Sequence, residues 1–176
     1  TGKKAFLENN SALFSTTGTV HFAGSDSVLS STELNTYNST YNVSGDANRY
    51  GALVQIPSVA TSVTIPFNKA GSAVDLSVTQ ICGIFSGKIT SWSSIDSARS
   101  GAIQVVYRGE SSGTTELLAR FLTSACKPAD VSGTALKLTN GVPAFSVQST
   151  FANLFTTVPS NFVAAPATGG TSVYNA

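Results

Sequence analysis

The sequence predicts an α/β fold, and three observations carry that prediction. Short β-branched runs alternate with helical patterns, as where Ile103–Tyr107 precedes Thr114–Ala125. Helix-starting hydroxyls and helix-stopping glycines fall where those patterns begin and end. Composition suits a folded, weakly charged globule, with 41% of the 176 residues hydrophobic and 11% charged. This length holds one domain or two small lobes, and the sheets are expected to be mixed or mainly parallel.

Taken in order, Thr19-Val20-His21-Phe22-Ala23 reads as a short strand, followed by the loop Gly24-Ser25-Asp26-Ser27. Ser30 and Glu33 stand at capping-box spacing and open a short helix through Leu34. Asn38 to Tyr50 is polar and expected as a surface loop. Leu53 to Phe67 is rich in β-branched residues but interrupted by Pro57 and Pro66, which predicts a kinked, extended crossing between lobes. From Asp75 a helix carries Val78, Ile81, Cys82 and Phe85 on one face, and Gly87 ends it. Trp92 and Ile95 are expected to pack beneath it. Ile103 to Tyr107 is a strand, and Thr114 to Ala125 a helix with Leu117, Leu118, Phe121 and Leu122 as its inward stripe. Phe162 to Ala165 is a further strand, and Gly169 to Ser172 turns into a helix beginning at Val173. No internal repeat or low-complexity tract interrupts this order.

The formal net charge of +1 supplies no broad electrostatic field. Nucleic-acid binding through a basic face is therefore excluded as an expectation, and any anion specificity must be local. No apolar run approaches a membrane span, which reads against direct membrane insertion, and no signal peptide is evident. The chain contains no methionine, so it reads as mature, clipped or part of something longer. Cys82 and Cys126 admit two readings. One is a disulfide in an exported protein, worth about 4 kcal/mol on the chain-entropy model; the other is two buried thiols in a cytosolic one.

The chemistry concentrates in Val105-Val106-Tyr107-Arg108-Gly109-Glu110-Ser111-Ser112-Gly113-Thr114-Thr115-Glu116. This is a strand, a hydroxyl-rich turn and a helix start, whose unpaired N–H groups and positive dipole end favour an oxyanion. Arg108 adds a planar fork of donors that matches phosphate. Ser112 and Thr114 add hydroxyls, and Gly113 lets an anion approach the backbone. Arg108 could alternatively pair with Glu110 or Asp26, and Glu110 could orient it or simply be solvated. Asp26, between Ser25 and Ser27, reads either as a turn aspartate or as a specificity device. In the second reading its carboxylate accepts the proton that phosphate retains; sulfate has none and meets a like charge instead.

Other chemistries fit less well. Gly109-Glu110-Ser111-Ser112-Gly113 matches the G-x-S-x-G elbow of serine hydrolases. That fold needs a histidine after the serine, and the one histidine, His21, precedes it. One histidine and two distant cysteines fall short of a closed zinc set, and no calcium-loop spacing appears. No metal or other cofactor is expected.

Four stretches occur in one order: Val20–Ser27, Gln55-Ile56-Pro57-Ser58-Val59-Ala60-Thr61-Ser62, Phe85-Ser86-Gly87-Lys88-Ile89-Thr90-Ser91-Trp92, and the turn from Arg108 to Glu116. In these the chain resembles the DING proteins, a branch of the substrate-binding proteins of phosphate ABC transporters. The resemblance implies a type II periplasmic-binding-protein-like fold, two lobes of mixed sheets flanked by helices that close on phosphate in a cleft. It implies phosphate contacts from Asp26 on the first lobe and from Arg108, Ser112, Gly113 and Thr114 on the second. Ser25 and Glu110 would support those contacts, and Cys82 and Cys126 fall where the family has a disulfide.

Family members begin with a Gly-rich strand and a Thr-Leu helix entrance that also contact phosphate, and they run considerably further at the C-terminal end. Residues 1–67 would thus be part of lobe one and 68–176 most of lobe two. The reading is an exported, monomeric phosphate-binding protein of the periplasm or extracellular space, serving an ABC permease or acting alone. A phosphatase using the same anion site and a truncated interaction module are the alternatives.

Overall fold

The computed structural model describes residues 2–47, 49–166 and 173, which fall into two compact units, Thr1–Ser62 and Val63–Ala176. The helix expected from Val173 lies outside the described residues, Val173 itself excepted.

The first unit is built on two helices, α1 (Gly2–Leu7) and α2 (Ser31–Thr40), with a 3₁₀ turn at Ser11–Phe14. Nothing in the sequence reading anticipated α1, which buries Ala5 and Leu7. The capping box that opens α2 is present: Ser30 Oγ accepts the Glu33 N–H, and the Glu33 carboxylate accepts the Ser30 N–H at 2.8 Å. Lys3 donates to the same carboxylate at 3.1 Å, tying α1 to α2. The helix runs past Leu34 to Thr40, less than one turn into the expected loop, because Tyr37 is buried and donates its hydroxyl to the Gly51 carbonyl. Tyr41 and Tyr50 stack with ring centroids 5.7 Å apart. No strand forms among the described residues of this unit. Thr19–Ala23 is irregular, and Phe22 within it is 85% exposed. A β-branched run becomes a strand only when a neighbouring strand takes its N–H and C=O groups; here the Val20 N–H goes to the Asn9 side chain at 2.8 Å instead.

The second unit contains α3 (Val78–Ser86), β1 (Val105–Arg108), α4 (Gly113–Ala125), β2 (Leu138–Thr139), β3 (Val142–Pro143) and β4 (Phe162–Ala165). β1 and β4 pair in parallel, with Val105 opposite Phe162 and Arg108 opposite Ala165. β2 and β3 form a hairpin around Asn140 and Gly141, whose φ values of 51° and 82° suit a two-residue turn with both central residues left-handed. This Asn-Gly signal was available in the sequence and passed unread.

α3 starts at Val78 rather than Asp75, because Ser77 and Gln80 form a second capping box. It stops where expected, at Gly87, which takes the left-handed conformation with φ 80°. Cys82 and Phe85 are buried as expected, but Val78, in the first turn, is exposed. α4 is rotated from its expected stripe. Thr115, Ala119 and Leu122 are buried and Leu118 packs against the core, while Leu117 and Phe121 lie largely exposed. Leu118 and Leu122 face the core in this orientation, and just past α4 Cys126 is bonded to Cys82 of α3, with Cα atoms 5.6 Å apart.

Phe151, 2% exposed, is the hub of the core. Its ring lies 5.2 Å from Tyr107, 6.2 Å from Phe85, 5.8 Å from Phe155 and 6.0 Å from Phe162. Trp92 and Ile95 pack against the same cluster, as the sequence suggested. Arg99 was not singled out. Its side chain is buried and lies between Phe67 and Trp92, 5.9 Å from each ring, while donating to Asp96 and to the Ser72 carbonyl.

Candidate anion-binding site

β1 delivers Arg108 to the sheet's C-terminal end, and the chain turns there into α4 over four residues. Gly109 lies close against the paired strand. A Cβ at this position would sit 3.1 Å from the Ala165 carbonyl oxygen of the paired strand. The turn ends on Ser112, the N-cap of α4, whose Oγ accepts the Thr115 N–H at 3.3 Å.

Arg108 is held from two directions. Its Nε donates to Glu110 Oε1 at 2.6 Å and its Nη1 to Ser112 Oγ at 2.7 Å, and Nη2 also meets the Glu110 carboxylate. Arg108 thus makes the ion pair with Glu110 that stood as the alternative to an anion role, and Glu110 is not a merely solvated turn residue. The guanidinium keeps 23% of its side-chain exposure, so it is fixed in direction yet reachable. Ser112 is 5% exposed, Gly113 half-buried and Thr114 exposed. The first N–H groups of a helix have no partner within it, and they concentrate beside this arginine. Five residues predicted from sequence, Arg108, Glu110, Ser112, Gly113 and Thr114, therefore share one turn.

Ser25 and Asp26 lie in the first unit. Ser25 Oγ donates to the Ser27 carbonyl at 2.8 Å and accepts the Ser27 N–H at 3.2 Å, a local hydroxyl turn that leaves Asp26 at the exposed apex. Ser111, centre of the elbow motif, bonds to Ser149 Oγ at 3.0 Å. Among the described residues no group of three or more His, Cys, Asp or Glu side chains could hold a metal ion, and no helix is long and apolar enough to cross a membrane. Sequence reasoning missed Ser149. It stands 38 residues from Ser111, beyond the reach of any local pattern.

A parallel strand feeding a helix whose mouth carries a braced arginine is an arrangement typical of an α/β fold. The chain belongs to the PBP superfamily, whose domain model matches residues 1–168. It is 49% identical, over 174 residues, to "Alkaline phosphatase L" of Pseudomonas aeruginosa, covering 96% of this chain and 42% of that protein. A crystal structure of the phosphate binding protein from Stenotrophomonas maltophilia matches with 90% identity and a TM-score of 0.93, covering 99% of this chain and 47% of the other. PfluDING, described as a high affinity periplasmic phosphate-binding protein bound with phosphate, matches with 47% identity and a TM-score of 0.78 over 99% of this chain and 43% of its own. The DING-type resemblance and the periplasmic-binding-protein-like α/β fold read from the sequence are thereby established. The chain spans less than half the length of these relatives.

Proposed function

We propose that this chain binds inorganic phosphate as part of an exported phosphate-binding protein. The observation that carries the reading is Arg108, braced by Glu110 and Ser112 at the mouth of α4. A guanidinium held in this way presents its remaining donors without further ordering cost, which favours affinity. Gly113 and Thr114 supply backbone and hydroxyl donors beside it. Asp26 is the proposed acceptor for the proton that phosphate keeps and sulfate lacks, with Ser25 shaping its loop. Relatives described as phosphate-binding, one of them periplasmic, support both the ligand and a periplasmic or secreted location. In the same reading, residues 1–67 belong to lobe one and 68–176 to lobe two, the protein is a monomer, and an ABC permease receives the phosphate.

Titration calorimetry on this chain tests the proposal. Phosphate should bind with 1:1 stoichiometry, and Arg108→Ala should weaken it by about 2 kcal/mol or more, some 30-fold, because the change also strands Glu110. Asp26→Asn should leave phosphate bound but raise competing sulfate affinity. Native binding that survives Arg108→Ala undiminished would sink the assignment.

A second reading has one observation in its favour, the 49% identity to a protein described as an alkaline phosphatase. In that case the same donors would stabilise a transferring phosphoryl group. Turnover of a phosphomonoester that persists through purification and disappears in Arg108→Ala would establish it.

A further inference from the structure

We propose that Ser149 is a positioning residue for the anion-binding turn, an inference that rests on the phosphate-binding reading. Ser149 reaches that turn twice. Its carbonyl accepts the Ser112 N–H at 2.8 Å, and its hydroxyl bonds to Ser111 Oγ at 3.0 Å. The residue is itself anchored, since two positions later Phe151 enters the aromatic hub and lies against Tyr107, the neighbour of Arg108. Both ends of the turn are therefore tied to one buried ring, Arg108 through Tyr107 and Ser112 through Ser149.

This clamp decides what Ser112 offers an anion. Its N–H is committed to Ser149, and its carbonyl accepts the Glu116 N–H at 3.0 Å. Its Oγ accepts from both Arg108 Nη1 and Thr115 N. A hydroxyl oxygen has two lone pairs and one hydrogen, so with both lone pairs taken the hydrogen must donate outward. Ser149 thus leaves Ser112 as a hydroxyl donor only, and hands the amide donation to Gly113 and Thr114. Without the clamp the Ser112 amide would be released, and the turn would lose its registration against Arg108.

Phosphate titration of Ser149→Ala, Ser111→Ala and the double variant tests this, alongside amide hydrogen exchange at Ser112. Each single variant removes the same hydroxyl bond, so each should weaken phosphate binding about fivefold. The double variant should weaken it no further, while thermal unfolding stays unchanged. Ser149→Thr, which keeps the hydroxyl, should bind like the native chain. The Ser112 amide should exchange slowly in the native chain, with or without phosphate, and Ser149→Ala, which keeps the accepting carbonyl, should quicken it only as far as the lost hydroxyl bond lets the turn open. Ser111→Ala, at an exposed site, reports on the bond even if Ser149→Ala folds poorly. Native affinity in both single variants, additive losses in the double, or a fast-exchanging native Ser112 amide would overturn the clamp. A native chain that ignores phosphate would instead refute the function, and Ser112 exchange would still judge the clamp.

Discussion

The two units of this molecule handle their apolar residues in opposite ways. In the second, α3, α4 and the strand pair close Cys82, Leu122, Phe151, Leu154 and Phe162 into one dry cluster, pinned by a disulfide. In the first, only Ala5, Leu7 and Tyr37 are buried hydrophobics among the described residues. Val54, Ile56 and Val59 stand at least three-quarters exposed along an extended segment. Helix patterning explains much of this contrast. α4 presents Leu118, Ala119 and Leu122 on one flank, whereas α2 is polar on nearly every face and contributes Tyr37 alone. The arginine grip sits on the unit whose packing can hold a guanidinium still. The aspartate loop sits on the unit stabilised mainly by polar contacts, where the capping box and the Lys3–Glu33 pair join α1 to α2. The unit with the aromatic hub thus holds the Arg108 guanidinium in a fixed direction.

Opening the disulfide is the strongest way to break this contrast. Replacing Cys82 and Cys126 by Ala should cost the second unit about 4 kcal/mol, since the bridge closes a long loop in the unfolded chain. Fluorescence of Trp92, the one tryptophan of the sequence, should follow the loss in urea. A change of under about 1 kcal/mol would show that the aromatic cluster holds this unit by itself.

Acid sharpens the comparison from the other side. Burial raises the Glu33 carboxyl, but the Ser30 N–H and the Lys3 ammonium outweigh it and hold the group below its ordinary range. A folded-state value lower than the unfolded one stabilises fully above the unfolded pKa of about 4.3, and that stabilisation is lost as pH falls through the folded value. Glu33→Gln should therefore destabilise the first unit by about 0.5 kcal/mol at neutral pH and by nothing in strong acid, read on Tyr37 resonances. A cost that persists unchanged at low pH would remove the carboxylate from this account.

The smallest effect is expected at Val59. Val59→Ser should move the unfolding midpoint by no more than about 0.5 kcal/mol equivalent, because the side chain already faces solvent. A loss well beyond that would mean the extended segment is covered in solution, and the difference between the units would shrink.

How far the sequence could be read depended on how local the cause was. Both ends of the turn after Arg108 were legible, because β-branched residues lead into it and Ser112 is a favoured helix N-cap. The Ser30 cap and the Gly87 stop were legible from equally local preferences. The strand at Thr19–Ala23 was not safely readable, because β-branched composition states a capacity for pairing and says nothing of a partner. The facing of α4 differs from expectation at Leu117 and Phe121: four apolar residues span two adjacent flanks, and packing on the core, where Leu118 and Leu122 lie, selects one.

Residue order alone determined that a donor-rich turn exists, which residues it contains, and that Arg108 stands beside a helix start. These are properties of neighbours in the chain, set by dihedral preference and capping. Tertiary structure alone decided that α4 turns its Thr115 flank inward and that Ser149 claims the Ser112 amide. The facing of α4 and the Ser149 bond depend on which groups meet across tens of residues, where the loss of solvation leaves each buried donor to find whatever acceptor the packing brings.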